Sequence, residues 1–158
     1  MRDAARTADR WGTGPAAGAD ELDQLVYLSN LIGHEPALVQ PGGGNTSIKL
    51  GDVLLVKASG TDLRTIERDG FARLSLPELA ALESAAAMSD ADMMRLMTRC
   101  TVPADGRGPA PSVETPLHSL LPHRVIVHTH DVATMSLTNL DDATAERLVT
   151  ELFQGEIV

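Results

Sequence analysis

The sequence predicts a single α/β domain in which helices are layered on a sheet, and three observations lead to this fold class. Two runs of alternating apolar and polar residues flank the pair Gly51-Asp52 and predict a β-hairpin. Apolar residues at helical spacing mark one segment before that hairpin and several after it. At 158 residues the chain is long enough for one domain with a hydrophobic core and short for two.

Periodicity, caps and turn residues place the individual elements. Strands are expected at 45–50, 53–59, 71–74 and 125–130, the last as a buried core strand. Helices are expected at 21–33 after the cap Asp20, from Ser75 to about Met88, at 90–99, at 114–121, and after caps at Asp131 and at Asp141 or Asp142. Residues 1–19 are small, charged and interrupted by Gly and Pro, so a flexible arm is expected before a domain spanning 20–158. Residues 101–111 are expected to form a loop.

The acidic composition limits the classes of partner. A formal net charge of -9 disfavours a nucleic-acid or membrane surface, because both partners are polyanions. An anionic small substrate would need a local positive feature, such as backbone N–H groups or a metal. The single cysteine, Cys100, excludes an internal disulfide and is interpreted as a small buried hydrophobe. No apolar run resembles a signal peptide or a membrane span, so we expect a cytoplasmic protein.

Two histidines form the most informative chemical pattern. His128 and His130 end the predicted strand that begins Val125-Ile126-Val127. Residues two apart in a strand share a face, with Cα atoms roughly 6.5–7 Å apart, so both imidazoles can converge on one divalent ion. The alternative is a pair of histidines at an exposed strand end with no metal. The other two histidines outside helices, His34 and His123, follow helix-ending signals and are interpreted as structural or exposed.

Glu114 lies on the short predicted helix directly before that strand. Chain folding can bring its carboxylate over the histidine pair, where a carboxylate beside a Lewis acid can shuttle a proton. The competing interpretation is a glutamate at a helix N-terminus, favoured there by the helix dipole. His118 follows one turn later on the same helical face. It is interpreted as a residue that orients the site or as a satisfied core histidine, ahead of a third metal ligand.

The segment PGGGNTSIK, residues 41–49, has neither the GxGxxG spacing of a dinucleotide site nor the GK[ST] context of a P-loop. Its glycines expose backbone N–H groups and Asn45 adds an amide, a combination that can hold a phosphate without positive side chains. Ser59-Gly60 at the hairpin end and Ser112 at a helix start can each add a hydroxyl or an N–H. Taken singly, each of these residues is more often a turn residue.

Three motifs in order, GGGNTSIK, VLLVKASGTDL and PSVETPLHSLLPHRVIVHTHD, resemble the class II aldolase/adducin family. The similarity runs from about Leu22 to Asn139 and is greatest to the aldolase-type domain of bifunctional rhamnulose-1-phosphate aldolase/short-chain dehydrogenase proteins. The resemblance implies an α/β/α fold with a central, largely antiparallel sheet, a divalent metal that is commonly zinc, and assembly as a homotetramer. It also implies cleavage or formation of C–C bonds in phosphorylated ketoses through an enediolate.

Carried onto this chain, the resemblance assigns His128 and His130 as metal ligands and Glu114 as the catalytic acid/base. It assigns five residues to binding of the substrate phosphate: Gly44, Asn45, Ser59, Gly60 and Ser112. The family's third metal-binding histidine lies farther downstream, and no histidine follows His130 here. The last four residues, GEIV, resemble the start of a further strand, so we expect the N-terminal portion of an aldolase domain, with no nicotinamide site.

These features favour a metal-dependent aldolase-type lyase that acts on a ketose 1-phosphate of the rhamnulose-1-phosphate type. The same residues would serve an epimerase or a dehydratase of sugar phosphates, because each reaction begins with a metal-stabilised enediolate. A third interpretation is a non-catalytic, adducin-like binding or assembly module, or an inactive fragment. Glu114 and the two histidines weigh against that third interpretation, and the missing third histidine weighs for it.

Overall fold

The structure, a computed structural model, describes residues 11–12, 14–82, 88–102 and 108–153. These residues form a four-stranded sheet in the order β3-β2-β1-β4, in which every pairing is antiparallel. The strands are β1 (Asn45–Leu50), β2 (Val53–Lys57), β3 (Phe71–Ser75) and β4 (Val125–His128). The α-helices are α1 (Glu21–Gly33), α2 (Leu76–Leu79), α3 (Asp90–Arg99), α4 (Thr115–Leu120), α5 (Val132–Thr138) and α6 (Asp142–Phe153).

Apolar side chains cover both faces of the sheet, and this produces an α/β/α arrangement. Successive residues of a strand point to opposite faces, so the adjacent Leu54 and Leu55 enter different cores. Leu55 packs with Leu25 of α1 on one face. Leu54 packs with Leu79 of α2 and Met97 of α3 on the other face. The predicted fold class, layered α/β with a largely antiparallel sheet, is confirmed.

The hairpin and the first helix form where the sequence predicts them. Leu50 pairs with Val53, so Gly51-Asp52 is the two-residue turn, and Gly51 has the positive φ of 57° that such turns favour. In α1, the Asp20 side chain accepts a hydrogen bond from the Asp23 N–H, and the Asp23 carboxylate accepts one from the Asp20 N–H. This reciprocal capping box satisfies two backbone donors that a helix start leaves free.

Strand β4 is not the buried strand that its Val-Ile-Val sequence predicts. Ile126 is buried, but Val125 and Val127 are 44% and 42% exposed. The reason is topological, because β4 is an edge strand and its two valines occupy the α1 side of the sheet beyond the region that α1 covers. The strand also ends at His128, so His130 lies in the segment after it.

The helix after Ser75 is shorter than predicted within the described residues. Ser75 caps α2 by accepting from the Glu78 N–H, and Pro77 lies in the first turn, as expected. The α-helix gives way to a 3-10 turn at Ala80–Leu82, which brings Leu82 onto the core around Leu79. The predicted continuation to about Met88 falls on 83–87, outside the described residues.

Two predictions at the chain ends fall partly outside the described residues. The described residues do not include 1–10 and 13 of the predicted arm, and they do not include the GEIV segment. Of the predicted loop, 103–107 also lies outside the described residues. Near the arm's described end, Trp11 packs edge-on against Tyr27 of α1, with ring centroids 5.2 Å apart, and the Tyr27 hydroxyl donates to the Trp11 carbonyl. No helix among the described residues is both long and apolar enough to cross a membrane.

Arg68, in the turn before β3, ties that turn to the start of α1. Its Nη1 and Nη2 donate to the two carboxylate oxygens of Asp20 at 2.9 and 2.8 Å, and Nη1 also donates to Asp23. The Arg68 guanidinium, followed by the Asp23 N–H, holds the pKa of the Asp20 carboxyl far below its ordinary value of 3.8. A folded-state pKa below the unfolded one stabilises the fold above the unfolded value, and this stabilisation is lost as pH falls.

The Arg68→Gln variant is therefore expected to have a lower melting temperature at neutral pH and a smaller loss of stability between about pH 5 and about pH 2. Thermal unfolding followed by circular dichroism over that range measures both effects. Arg147→Gln is the control, because Arg147 pairs with Glu151 on the exposed face of α6, where ion pairs contribute little. Parallel pH profiles for Arg68→Gln and the wild type would contradict this assignment.

Candidate metal centre

The pairing of β1 with β4 places the glycine loop directly beside both histidines of the HxH pattern. Asn45, the first residue of β1, is the Cα partner of His128. A Cβ added at Gly43 would lie 2.8 Å from His130 Nδ1, and one added at Gly44 would lie 3.0 Å from the His128 carbonyl oxygen. Contacts this short leave no space for a side chain, so these two glycines make room for the histidines.

Glu114 approaches the same point from α4. It is the N-cap residue of that helix, and its backbone N–H donates to Ser112 Oγ at 3.2 Å. Its Oε1 lies 3.4 Å from His128 Nδ1 and 3.6 Å from His130 Nε2. All three side chains are partly exposed. The structure thus brings the predicted acid/base residue and the two predicted ligands together.

The spacing of these three groups fits a tetrahedral metal site. One ligand atom from each residue lies within 4.8 Å of the other two. Two atoms bound about 2.1 Å from one zinc ion at a tetrahedral angle are about 3.4 Å apart, close to the observed 3.4 and 3.6 Å. His128 Nδ1 is also buried without a hydrogen-bond partner, which is costly for a polar atom unless something binds it.

The donor set therefore fits a divalent metal that prefers nitrogen and oxygen ligands, such as zinc. Glu114 offers the third donor that two histidines alone lack. A catalytic zinc site ordinarily has three protein ligands and one open position.

His118 is a core histidine and is not part of this donor set. It is fully buried, and its Nδ1 lies 2.7 Å from Ser47 Oγ on β1. Burial lowers the pKa of His118 to about 4, and the charges of His128 and Lys49 also lower it while Glu114 raises it. The imidazole is therefore neutral near pH 7. His34 and His123 are exposed, as expected.

Two of the three predicted phosphate-binding segments are neighbours in the structure. Ser59 and Gly60 are exposed in the turn after β2, and the Ser59 N–H donates to the Ala110 carbonyl at 2.9 Å. An antiparallel bridge between Ala58 and Pro111 continues this contact toward Ser112. Ser112 is 8% exposed, and its hydroxyl already accepts the Glu114 N–H.

The glycine loop contacts the segment after Gly60, and the Asn45 side chain that follows the loop is buried. The Gly42 N–H donates to the Asp62 carboxylate at 3.1 Å, and Gly44 is buried. Asn45 is fully buried, and neither atom of its amide group has a hydrogen-bond partner. Its side chain thus lies inside the protein rather than on an open loop.

Lys57 is a buried charged residue that the sequence analysis missed. It ends β2 and is 5% exposed. Burial lowers the pKa of Lys57, whereas the charges of Glu114 and Asp62 act in the opposite direction. A lysine closing the otherwise apolar run VLLVK was the available signal, because lysine is almost never buried unless it is paired.

Cys100 lies away from this site, as the sequence analysis expects of a small buried hydrophobe. It is 1% exposed in the core that contains Leu54, and burial raises the pKa of its thiol. A thiol of this kind is a poor nucleophile and a poor metal ligand.

Comparison with known proteins identifies the class to which this fold and site belong. Residues 23–157 match the family described as Class II Aldolase and Adducin N-terminal domain, and the chain belongs to that family. It is 36% identical over 130 residues to the "Uncharacterized oxidoreductase YuxG" of Bacillus subtilis (strain 168), which covers 77% of this chain and 19% of the relative.

A solved structure supports the same conclusion. The N-terminal Class II Aldolase domain of a conserved protein from Thermoplasma acidophilum superposes with a TM-score of 0.75 at 36% identity, over 85% of this chain and 65% of that one. The chain thus spans about a fifth of the Bacillus relative and about two-thirds of the Thermoplasma chain. The class II aldolase/adducin resemblance is confirmed, and the closer tie to rhamnulose-1-phosphate aldolases stays a prediction.

Because a methyl group at Gly43 must displace the His130 ring, Gly43→Ala is expected to weaken zinc binding by about 10–100-fold, the usual effect of disturbing groups that orient ligands. Competition with a chromophoric chelator measures this change. Gly42→Ala is the matched control, since it adds the same methyl group one residue away, where nothing lies within 4 Å. Zinc affinity is expected to be unchanged there, although its φ of +80° should cost some stability. Equal affinity of Gly43→Ala and wild type would contradict the site geometry.

Proposed function

We propose that this chain is a metal-dependent aldolase-type lyase domain that acts on a ketose 1-phosphate. The observation that carries the proposal is the convergence of the Glu114 carboxylate with the ring nitrogens of His128 and His130. Membership of the class II aldolase/adducin family supports the same chemistry. The Bacillus relative is named an oxidoreductase, but the segment that matches this chain is 19% of that protein.

In this proposal His128 and His130 hold the metal, with Glu114 near enough to act as a third donor before substrate binds. A divalent ion here supplies Lewis acidity to the carbonyl and hydroxyl oxygens of the ketose. Breaking the bond between the third and fourth sugar carbons would leave an aldehyde and a three-carbon enediolate, with the proton of the fourth-carbon hydroxyl passing to the Glu114 carboxylate. Glu114 then transfers a proton to the enediolate carbon in cleavage, and it removes that proton in the reverse direction.

The phosphate group is proposed to bind beside Lys57, on the Ser59-Gly60 turn and at Ser112. Lys57 supplies the local positive charge that an anionic substrate needs in a chain of net charge -9. Gly44 and Asn45 complete the proposed set from the glycine loop. Asn45 can take part only if substrate reaches its buried amide, and the two unpartnered atoms of that amide support such a contact.

A sugar-phosphate epimerase or dehydratase would use the same residues. Product analysis after incubation with a panel of ketose 1-phosphates separates these reactions, because only a lyase releases dihydroxyacetone phosphate and an aldehyde. Sugar products of unchanged carbon number would replace the lyase proposal with one of those two.

Glu114→Gln is expected to keep zinc bound, since the amide oxygen can still approach the metal, but to lose turnover because the amide cannot transfer a proton. One general acid/base typically contributes about 10²–10⁴-fold in rate. Zinc content by elemental analysis and dihydroxyacetone phosphate release by a coupled assay measure the two effects. Glu78→Gln, an exposed change on α2, is the control and should match wild type in both.

Two results would contradict the proposal. Wild-type turnover in Glu114→Gln would remove the assigned role of Glu114. A wild-type chain that binds no zinc after purification with added metal, and cleaves no ketose 1-phosphate, would favour the non-catalytic module instead.

A further inference from the structure

Strand β1 begins with three polar residues that are all fully buried: Asn45, Thr46 and Ser47. Two of them bind a helix on opposite faces of the sheet. Thr46 Oγ1 lies 2.7 Å from Ser29 Oγ of α1, and Ser47 Oγ lies 2.7 Å from His118 Nδ1 of α4. The strand thus makes one buried polar contact to α1 and one of the same length to α4. The contact to α4 involves the helix whose N-cap residue is Glu114.

We propose that His118 is a positioning residue for Glu114, whose hydrogen bond to Ser47 holds α4 on β1 so that the Glu114 carboxylate faces the histidine pair. The proposal rests on the metal centre proposed above. It concerns a residue that the donor set does not include and that binds neither metal nor substrate.

The first argument is the weakness of α4 on its own. The helix has six residues, and helices this short do not persist in water without tertiary contacts. Its outward-facing Leu117 and Leu120 are 47% and 48% exposed, so apolar packing of that face does not hold it. Contacts on its inner face must therefore set its position.

Helix α2, strand β2 and the 3-10 turn at Ala80–Leu82 pack against α4, and β1 adds side-chain hydrogen bonds to it at two points on one face of the strand. Lys49 Nζ donates to the carbonyls of Ser119 and Leu121 at the end of α4. Ser47, two residues back, binds His118, which precedes both Ser119 and Leu121 and so lies closer to Glu114. The His118 N–H also donates to the Glu114 carbonyl at 3.2 Å, so the imidazole and the carboxylate lie one helical turn apart on a single backbone segment.

The second argument is that β1 also positions the histidines. Asn45, on the same face as Ser47, is the Cα partner of His128. Helix α4 and strand β4 are therefore both held by one short stretch of β1. A loss of the Ser47–His118 contact would let α4 move relative to His128 without disturbing the sheet.

The third argument is energetic. His118 Nε2 and Thr115 Oγ1 are buried on α4 with no hydrogen-bond partner, and each such atom costs free energy. An apolar side chain would fill the same space without that cost if packing alone were required. The hydrogen bond between His118 Nδ1 and Ser47 offsets the cost of the unpartnered Nε2.

The test compares Ser47→Ala, which removes the contact to α4, with Ser29→Ala, which removes its counterpart to α1. Ser47→Ala and His118→Phe are expected to weaken zinc binding by about 10–100-fold. Their effects should not add in the double variant, because both remove one interaction. Ser29→Ala should bind zinc as the wild type does, even where its melting temperature falls. His118→Asn, whose amide occupies the place of Nδ1, should recover part of the affinity.

Two zinc-binding results would overturn the proposal. One is wild-type affinity in Ser47→Ala. The other is equal weakening in Ser47→Ala and Ser29→Ala, since a general loss of stability would then explain both. If His118→Phe does not fold, Ser47→Ala alone carries the comparison.

Amide hydrogen exchange of the metal-free chain separates this proposal from the metal centre itself. Ser47→Ala should speed exchange of the α4 amides, and Ser29→Ala should not. Unchanged exchange in α4 would overturn the role of His118 even in a chain that binds zinc. If Ser47→Ala speeds exchange in α4 but the wild-type chain binds no zinc, the proposed metal centre fails while the role of His118 in holding α4 stands.

Discussion

The antiparallel pairing of β1 with β4 sets His128 opposite Asn45 at the point where the glycine loop enters the sheet. A slip of one residue in such a pair would turn every side chain of β4 to the other face. His128 would then leave the side of the sheet on which α4 and Glu114 lie. The same stretch of β1 holds α4 through Ser47, so both halves of the candidate centre depend on this one register.

Buried polar groups are concentrated around that register, whereas the two cores elsewhere are apolar. Among the described residues, six with polar side chains are fully buried on β1 or on the helices that its polar residues contact: Ser29, Asn45, Thr46, Ser47, Thr115 and His118. The unpartnered atoms among them lower stability, because a buried polar atom loses its hydrogen bonds to water. Such costs are typical of functional sites, where geometry is kept at the expense of stability.

Local patterns in the sequence were sufficient to predict the elements that are stabilised by residues close to one another in the chain. The capping box at Asp20, the Gly51-Asp52 turn and the short helix after Ser112 all rest on interactions within a few positions. The exposed valines of β4 were not predictable in this way, because an apolar run does not show whether a strand lies at an edge. The burial of Lys57 and the contact of Gly43 with His130 likewise depend on pairing between distant segments. The approach of Glu114 to the two histidines as a possible third metal donor also depends on distant segments, and the position of Glu114 in the sequence did not indicate it.

The central claim is that Glu114, His128 and His130 hold one divalent metal. The most direct measurement is a crystal structure of the chain with zinc, with anomalous data collected at the zinc edge. We expect one anomalous peak about 2.0–2.2 Å from Glu114 Oε1, His128 Nδ1 and His130 Nε2, with a water in the fourth position. An occupied zinc site elsewhere in the chain, or no peak among these three atoms at saturating zinc, would contradict the account.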